Sequence, residues 1–261
     1  MRKLADFFKT TADILHIASG NSRDKIFTSA IIVAAGSSLR MGGDRTKQMM
    51  LVCGSPVVAH TLLAFEKCNR INEIIVVAKE DEIQLYDELK AKYGISKLTK
   101  VVKGGETRQA SALCGFDATS PKADFVAIHD AARCLVTCED ICRVLDAAIK
   151  YGAASASACV SDTVKIVDNN SFSVRTEDRS FVRLAQTPQI FGRNLYCAAA
   201  YTAKEECFEA TDDNMLAERI GHKVKMVETS KENFKITFPE DVKKAETILL
   251  SRRKEHDQCS E

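Results

Sequence analysis

Between residues 30 and 160, short apolar runs alternate with segments of helical period, and that rhythm constrains the fold more than any single motif. The runs are AIIVAA (30–35), EIIVVA (73–78), TKVVKGG (99–105), DFVAIHD (124–130) and ASASACV (154–160). Between them, helical patterns begin at Ser55 and cover 80–92, 106–118 and 137–151. Strands flanked by helices at this spacing mean an α/β fold with a doubly wound, mainly parallel sheet. Sheets of this kind hold their ligands outside the carboxyl ends of the strands.

After residue 160 the rhythm breaks. The segment DTVKIVDNNSFSVRTEDR (162–179) holds two β-like stretches around a polar DNNS turn, each mixing apolar and polar residues, which predicts a protruding β-hairpin arm. Beyond FVRLAQTPQIF come helical patterns at 193–206 and 212–220, then KVKMVE (223–228) and NFKITF (233–238) as strands. A closing helix starts at Pro239, whose fixed φ suits a first turn. At the other end, Leu4, Phe7, Phe8, Thr11, Ile14 and Leu15 share one side of a helix, and GNSRDK follows as its stop and linker. That helix packs on the body or serves as a partner-binding or membrane-surface element. The expected organisation is an N-terminal extension (1–28), a domain over 29–253 that includes the arm, and a tail (254–261). The 261 residues are enough to bury a full-sized core.

With 37 basic and 36 acidic residues, the net charge of +1 gives no global field to recruit nucleic acid or an anionic membrane. Charge must therefore act locally. Ten cysteines in a large, core-rich chain without a secretory signal point to a reducing cytoplasm rather than a disulfide framework. No stretch reaches the ~18 apolar residues that a membrane span needs.

The loop after the first strand, GSSLRMGGDRTKQ, places Arg40, Arg45 and Lys47 at the mouth of the sheet. Glycine-containing turns after a strand usually cradle phosphate with backbone N–H groups. Neither standard nucleotide fingerprint fits. G-x-G-x-x-G fails because no glycine lies between Gly36 and Gly42, and a P-loop fails because no Gly-Lys pair occurs. The loop does offer two cations, Arg40 and Lys47, on a stretch short enough to wrap a triphosphate. Nucleotidyl transfer needs positioned cations and a metal ion rather than a protein nucleophile. A solvated basic loop is the alternative for this segment alone. Two further strand ends, GGETRQAS (104–111) and HDAAR (129–133), carry polar groups to the same edge.

Taken in order, AAGSSLRM…KQ, GGETRQAS, HDAAR, SDTVK, QTPQIF, TDD and FKITFPED resemble the 2-C-methyl-D-erythritol 4-phosphate cytidylyltransferase family over about residues 29–250. The resemblance implies a Rossmann-like nucleotidyltransferase that joins CTP to methylerythritol phosphate, a polyol phosphate, and releases pyrophosphate. Arg40 and Lys47 would stabilise the pentacovalent transition state, the arginine as a fork and the lysine as a point charge. Backbone groups of Ala34, Ala35 and Gly36, with Gly104 and the Ser111 hydroxyl, would hold cytosine. Asp130, Ala131 and Arg133 match the ribose and second-substrate region, with a buried Asp-Arg structural pair as the alternative. Thr163 and Arg179 match arm residues that reach the acceptor phosphate from the neighbouring subunit of a homodimer, and Lys235 matches another residue that positions it. Glu106, Arg108 and Thr237 fall within the matched motifs. Thr211 and Asp212 match a family TD pair, and a plain helix N-cap is the equal alternative. The implied cofactor is Mg²⁺, held largely by triphosphate oxygens, with Asp130 as the nearest candidate carboxylate.

Three positions depart from the family pattern. Thr46 and Cys134 stand where proline is usual, and Glu106 where a shorter acid is common. The run CLVTCEDIC spaces Cys134, Cys138 and Cys142 four apart, which would align them on one helix face. It misses the iron-sulfur spacing C-x-x-x-C-x-x-C by one residue, and helical cysteines also serve as small core residues, so no cluster is expected. His129 is expected to be structural. The rival functions are a ribitol 5-phosphate cytidylyltransferase, disfavoured by AAG and HDAAR, and a non-catalytic CTP-binding protein, disfavoured by Arg40, Lys47, Arg179 and Lys235.

Overall fold

The computed structural model describes residues 26–36 and 46–258, with side chains through Lys254. The expected N-terminal helix and residues 37–45, with Arg40, lie outside the described residues.

At the centre runs β1 (Thr28–Val33), paired in parallel with β4 (Glu73–Ala78) on one side and β6 (Phe125–Asp130) on the other. Beyond β4 lies β5 (Leu98–Lys103), also parallel. On the other flank come β10 (Arg183–Gly192), β7 (Ala153–Cys159) and β11 (Lys225–Glu228). The seven-stranded order is β11-β7-β10-β6-β1-β4-β5, in which β10 alone runs antiparallel to its neighbours. Two short strands, β2 (Leu51–Val52) and β3 (Ser55–Pro56), make a small separate hairpin.

Continuous apolar runs such as EIIVVA become central strands because both faces of the sheet are covered. Successive side chains of β1 point to opposite layers. Ile32 packs with Leu62 and Phe65 of α1 (Val57–Lys67) and with Tyr86 of α2 (Ile83–Tyr93). Ile31 packs with Ala112 and Phe116 of α3 (Arg108–Ala118) and with the layer containing α5 (Arg193–Glu205) and α6 (Asp213–Arg219). At Gly115 a β-carbon would come within 2.3 Å of Ile31 Cγ2, so glycine is what lets α3 lie this close to the sheet. Such burial contributes roughly 1.5–3 kcal/mol for each large apolar side chain.

Helix starts follow their caps. Thr107 accepts from Ala110 N at the start of α3, and Thr137 accepts from Asp140 N at the start of α4 (Cys138–Tyr151). The Thr137 cap also corrects the reading of the cysteine run. Because α4 begins at Cys138, Cys134 lies in the preceding connection and packs with Val52, Leu135 and Ile236, away from Cys138 and Cys142. A second correction concerns NFKITF, which forms no strand. Ile236 N bonds Ala132 O, and the Asn233 amide donates to Thr187 O, so the segment straps the loop after β6 instead of pairing along a sheet edge. The closing helix α7 (Pro239–Gln258) continues past residue 253.

The arm is a hairpin of β8 (Val164–Val167) and β9 (Ser173–Glu177). Its turn is set by Asp168, whose carboxylate accepts from Asn170 N and Phe172 N, while Ser171 takes a left-handed φ of 66°. Among the described residues no helix is long and apolar enough to cross a membrane.

Candidate active site

A cleft of about 360 Å³ opens where β1, β5 and β6 end and α3 begins. Its floor at β1 is made of small residues. Ala34 is fully buried, its N–H bonded to Val77 O and its carbonyl accepting from the Gln48 amide. Ala35 and Gly36 are therefore the residues of this turn that face the cleft. Gly104 closes one side: a β-carbon there would sit 2.4 Å from Ala35 Cβ and 2.8 Å from Ser111 Oγ. Only glycine permits that close approach.

The charged centre is Asp130 at the end of β6. Arg108 Nε lies 3.1 Å from one carboxylate oxygen, and Lys235 Nζ lies 2.9 Å from the other. Arg133 Nε stands 3.7 Å away on the Lys235 side. Burial alone would raise this carboxyl, but the three cations outweigh it and hold Asp130 well below the usual carboxylate range. Arg108 is fixed again at its far end, where Nη1 meets Asp213 Oδ2 at 2.6 Å. Asp213 in turn accepts from the Tyr196 hydroxyl and, through its backbone N–H, donates to Gln189. Burial opposes the Arg108 charge, yet Asp213 and Asp130 together raise its pKa, so it stays cationic. Among the described residues that line the cleft, Lys47, Arg108 and Lys235 outnumber Glu106 and Asp130, which leaves an excess of positive charge facing it.

Beneath Asp130, His129 is fully buried and its pKa is lowered by desolvation to about 3. Its Nε2 lies 3.2 Å from Arg133 O, an acceptor, so that nitrogen carries the proton. Nδ1 then accepts from the Thr187 hydroxyl at 3.0 Å, and the Thr187 oxygen accepts from Asp130 N at 3.1 Å. The imidazole is a neutral brace for the strand end and does not reach the cleft.

Anionic ligands suit this arrangement, and the comparisons with known proteins name the class. The family model of IspD, 2-C-methyl-D-erythritol 4-phosphate cytidylyltransferase, matches residues 28–251. The chain belongs to this cytidylyltransferase family. It is 43% identical to the 2-C-methyl-D-erythritol 4-phosphate cytidylyltransferase of Caldanaerobacter subterraneus, covering 85% of this chain and 98% of that protein. With the enzyme of that name from Bacillus cereus it shares 42% identity over 86% of the chain and 98% of the relative. Among solved structures, the 4-diphosphocytidyl-2C-methyl-D-erythritol synthase of Anaerococcus prevotii superposes with a TM-score of 0.78 at 32% identity, covering 87% of this chain and 99% of that one.

Of the site residues expected for a cytidylyltransferase, Ala35, Gly36, Lys47, Glu106, Arg108, Ser111, Asp130, Ala131 and Lys235 line the cleft together. Gly104 and Arg133 adjoin it through Ser111 and Asp130. Thr237 donates to Lys235 O, behind the lysine rather than in the cleft. Thr211 is exposed and bonds the Met215 sulfur, and the N-cap of α6 is Asp212, which accepts from Met215 N. Thr163 and Arg179 sit exposed on the arm and do not line the cleft. Sequence reasoning passed over Gln48, Asp213, Thr187 and Asn233. All four lay within quoted segments, KQ, TDD, QTPQIF and NFKITF. The value of Thr187 and Asn233 depends on tertiary contacts that no local pattern displays.

Proposed function

We propose that the cleft binds CTP and transfers its cytidylyl group to 2-C-methyl-D-erythritol 4-phosphate, giving 4-diphosphocytidyl-2-C-methyl-D-erythritol and pyrophosphate. The observation that carries this reading is the excess of fixed cations around Asp130 at the strand ends, next to a floor of Ala35, Gly36, Gly104 and Ser111 that is shaped for a flat base. An acceptor phosphate oxygen attacks the α-phosphorus of CTP, the bond from that phosphorus to the β-phosphate bridging oxygen breaks, and pyrophosphate leaves. The phosphate monoester is itself the nucleophile, so no general base is required, in keeping with the buried neutral His129. Arg40 and Lys47 stabilise the charge that builds on the α-phosphoryl oxygens. Lys235, Arg108 and Arg133 orient the acceptor phosphate and ribose region, and Asp130 holds all three in place.

Mg²⁺ would be held largely by the triphosphate oxygens and would supply neutralisation of their charge. Both oxygens of Asp130 are engaged by Arg108 and Lys235, so this carboxylate fits the role of an organiser of cations better than that of a metal ligand.

The arm completes the site of a second copy, so the working enzyme is a homodimer. This is supported by exposed apolar residues on and beside the hairpin, including Phe172, Val174 and Phe181, and by the placement of Thr163 and Arg179 outside the cleft of their own chain. The deciding assay is pyrophosphate release from Mg²⁺ and CTP with methylerythritol phosphate and ribitol 5-phosphate as parallel acceptors. Release with the former alone is the expected result. Release with the latter alone would reassign the acceptor, and silence with both would leave a CTP-binding protein.

A further inference from the structure

A second cluster of reactive side chains lies away from the cleft, between the end of α1 and the start of α4. Cys68, the C-cap of α1, is fully buried, while Cys138 opens α4 and Cys142 follows one turn later. The three sulfurs lie within 4.8 Å of one another, and Cys68 Sγ to Cys142 Sγ is 3.6 Å. Three thiolates around one ion with metal–sulfur bonds near 2.3 Å stand roughly 3.8–4.0 Å apart, so closure here needs shifts of only tenths of an ångström to about 1 Å.

The surroundings suit an anionic thiolate group. Cys138 is the first residue of α4, where the helix dipole favours negative charge, and Cys142 follows one turn further in. Arg70 lies alongside. Its backbone N–H bonds the Cys68 sulfur, and its guanidinium favours the Cys142 thiolate. One guanidinium nitrogen meets Asp146 at 3.2 Å, while Nη2 is buried with no hydrogen-bond partner among the described residues. A buried cationic N–H without an acceptor is costly, and a thiolate-bound ion of net negative charge would offset it. Desolvation pushes the Cys68 thiol up to about 12, so at neutral pH that sulfur stays protonated until a metal displaces its proton.

We infer that Cys68, Cys138 and Cys142 form a three-thiolate site for a closed-shell thiophilic cation of the Zn²⁺ class, with the fourth position left to solvent. Three S–H bonds break, three sulfur–metal bonds form, three protons pass to the buffer, and no electron moves. The ion staples α4 to α1 and so fixes the 131–137 connection that carries Arg133. This inference is independent of the cytidylyltransferase reading.

The test is titration of the reduced, chelator-washed full chain with Cd²⁺ alone, following the ultraviolet thiolate-to-metal charge-transfer band and the protons released. One Cd²⁺ per chain is expected, displacing any Zn²⁺ loaded beforehand, as soft thiolate ligands favour the softer ion, and accompanied by a rise in thermal midpoint. Cys68→Ala, Cys138→Ala and Cys142→Ala should each weaken binding by more than about 100-fold, beyond the range of an outer-sphere change. Cys207→Ala, at an exposed position, should leave it unaltered. Unchanged affinity in folded Cys138→Ala, the variant least disruptive to the core, would overturn the proposal. So would a Cys68–Cys142 disulfide formed in air whose reduction restores no metal binding.

Discussion

The strand-end cleft and the arm are built on opposite principles. Around Asp130 the cations are held by contacts from β6, α3, α6 and the 233–238 strap. In the arm, β8 and β9 have each other and the Asp168 turn, and Phe172 and Phe181 are 71% and 88% exposed. A two-stranded hairpin is marginally stable by itself. The comparison teaches that the cleft is preorganised by its own fold, whereas the arm has little beyond its own hairpin, and under the proposed function it is the part that a second surface would make rigid.

The largest expected effect is in the network. Asp130→Ala strands Arg108, Arg133 and Lys235 without their shared carboxylate and should cost about 3–5 kcal/mol in urea unfolding. Asp168→Ala, which removes the arm turn, should move the same unfolding curve by less than about 0.5 kcal/mol. Equal losses would erase the distinction between the regions. Next is Lys47→Ala, for which pyrophosphate release should slow by about 10²–10³ with the unfolding midpoint unchanged. A loss below tenfold would remove that lysine from the transition state.

Gly104→Ala sharpens the comparison from the side of packing. Its new methyl would collide with Ala35 and Ser111, at a cost of about 1–3 kcal/mol, and CTP affinity should fall with stability. The most graded effect is the pH slope. His129 is depressed to about 3 in the fold, so between there and its ordinary 6.5 the unfolded chain binds more protons. Stability present above pH 6.5 should therefore drain away as the pH falls, at no more than about 1.4 kcal/mol per pH unit from this group. Unfolding curves of wild type and His129→Gln across pH 4–7 check it, and the variant should lose that part of the slope.

Much of this was legible in the sequence because buried parallel strands write themselves as unbroken apolar runs. EIIVVA forms β4 over its whole length, and DFVAIHD announced both β6 and the acid at its tip. The arm was also readable, since DNNS sits where Asp168 closes the turn. Less legible were segments whose partners are remote. NFKITF looks like a strand, yet its backbone bonds a loop, and the antiparallel β10 carried no continuous pattern because residues 186–188 of QTPQIF interrupt its ladder with β7. The cysteine run misled for a local reason: the Thr137 cap fixes where α4 starts, so Cys134 drops out of the helix and Cys68, 70 residues upstream of Cys138, takes its place beside the others.

The shared site is tested most directly by complementation between two inactive chains, Lys235→Ala with a disabled cleft and Arg179→Ala with a disabled arm. If each site joins the cleft of one protomer to the arm of its partner, random mixing makes half of the dimers mixed, each with one intact site, and activity should recover to about a quarter of the wild-type value. No recovery above the two separate variants, in a mixture shown to exchange subunits, would place cleft and arm in the same chain and contradict the account.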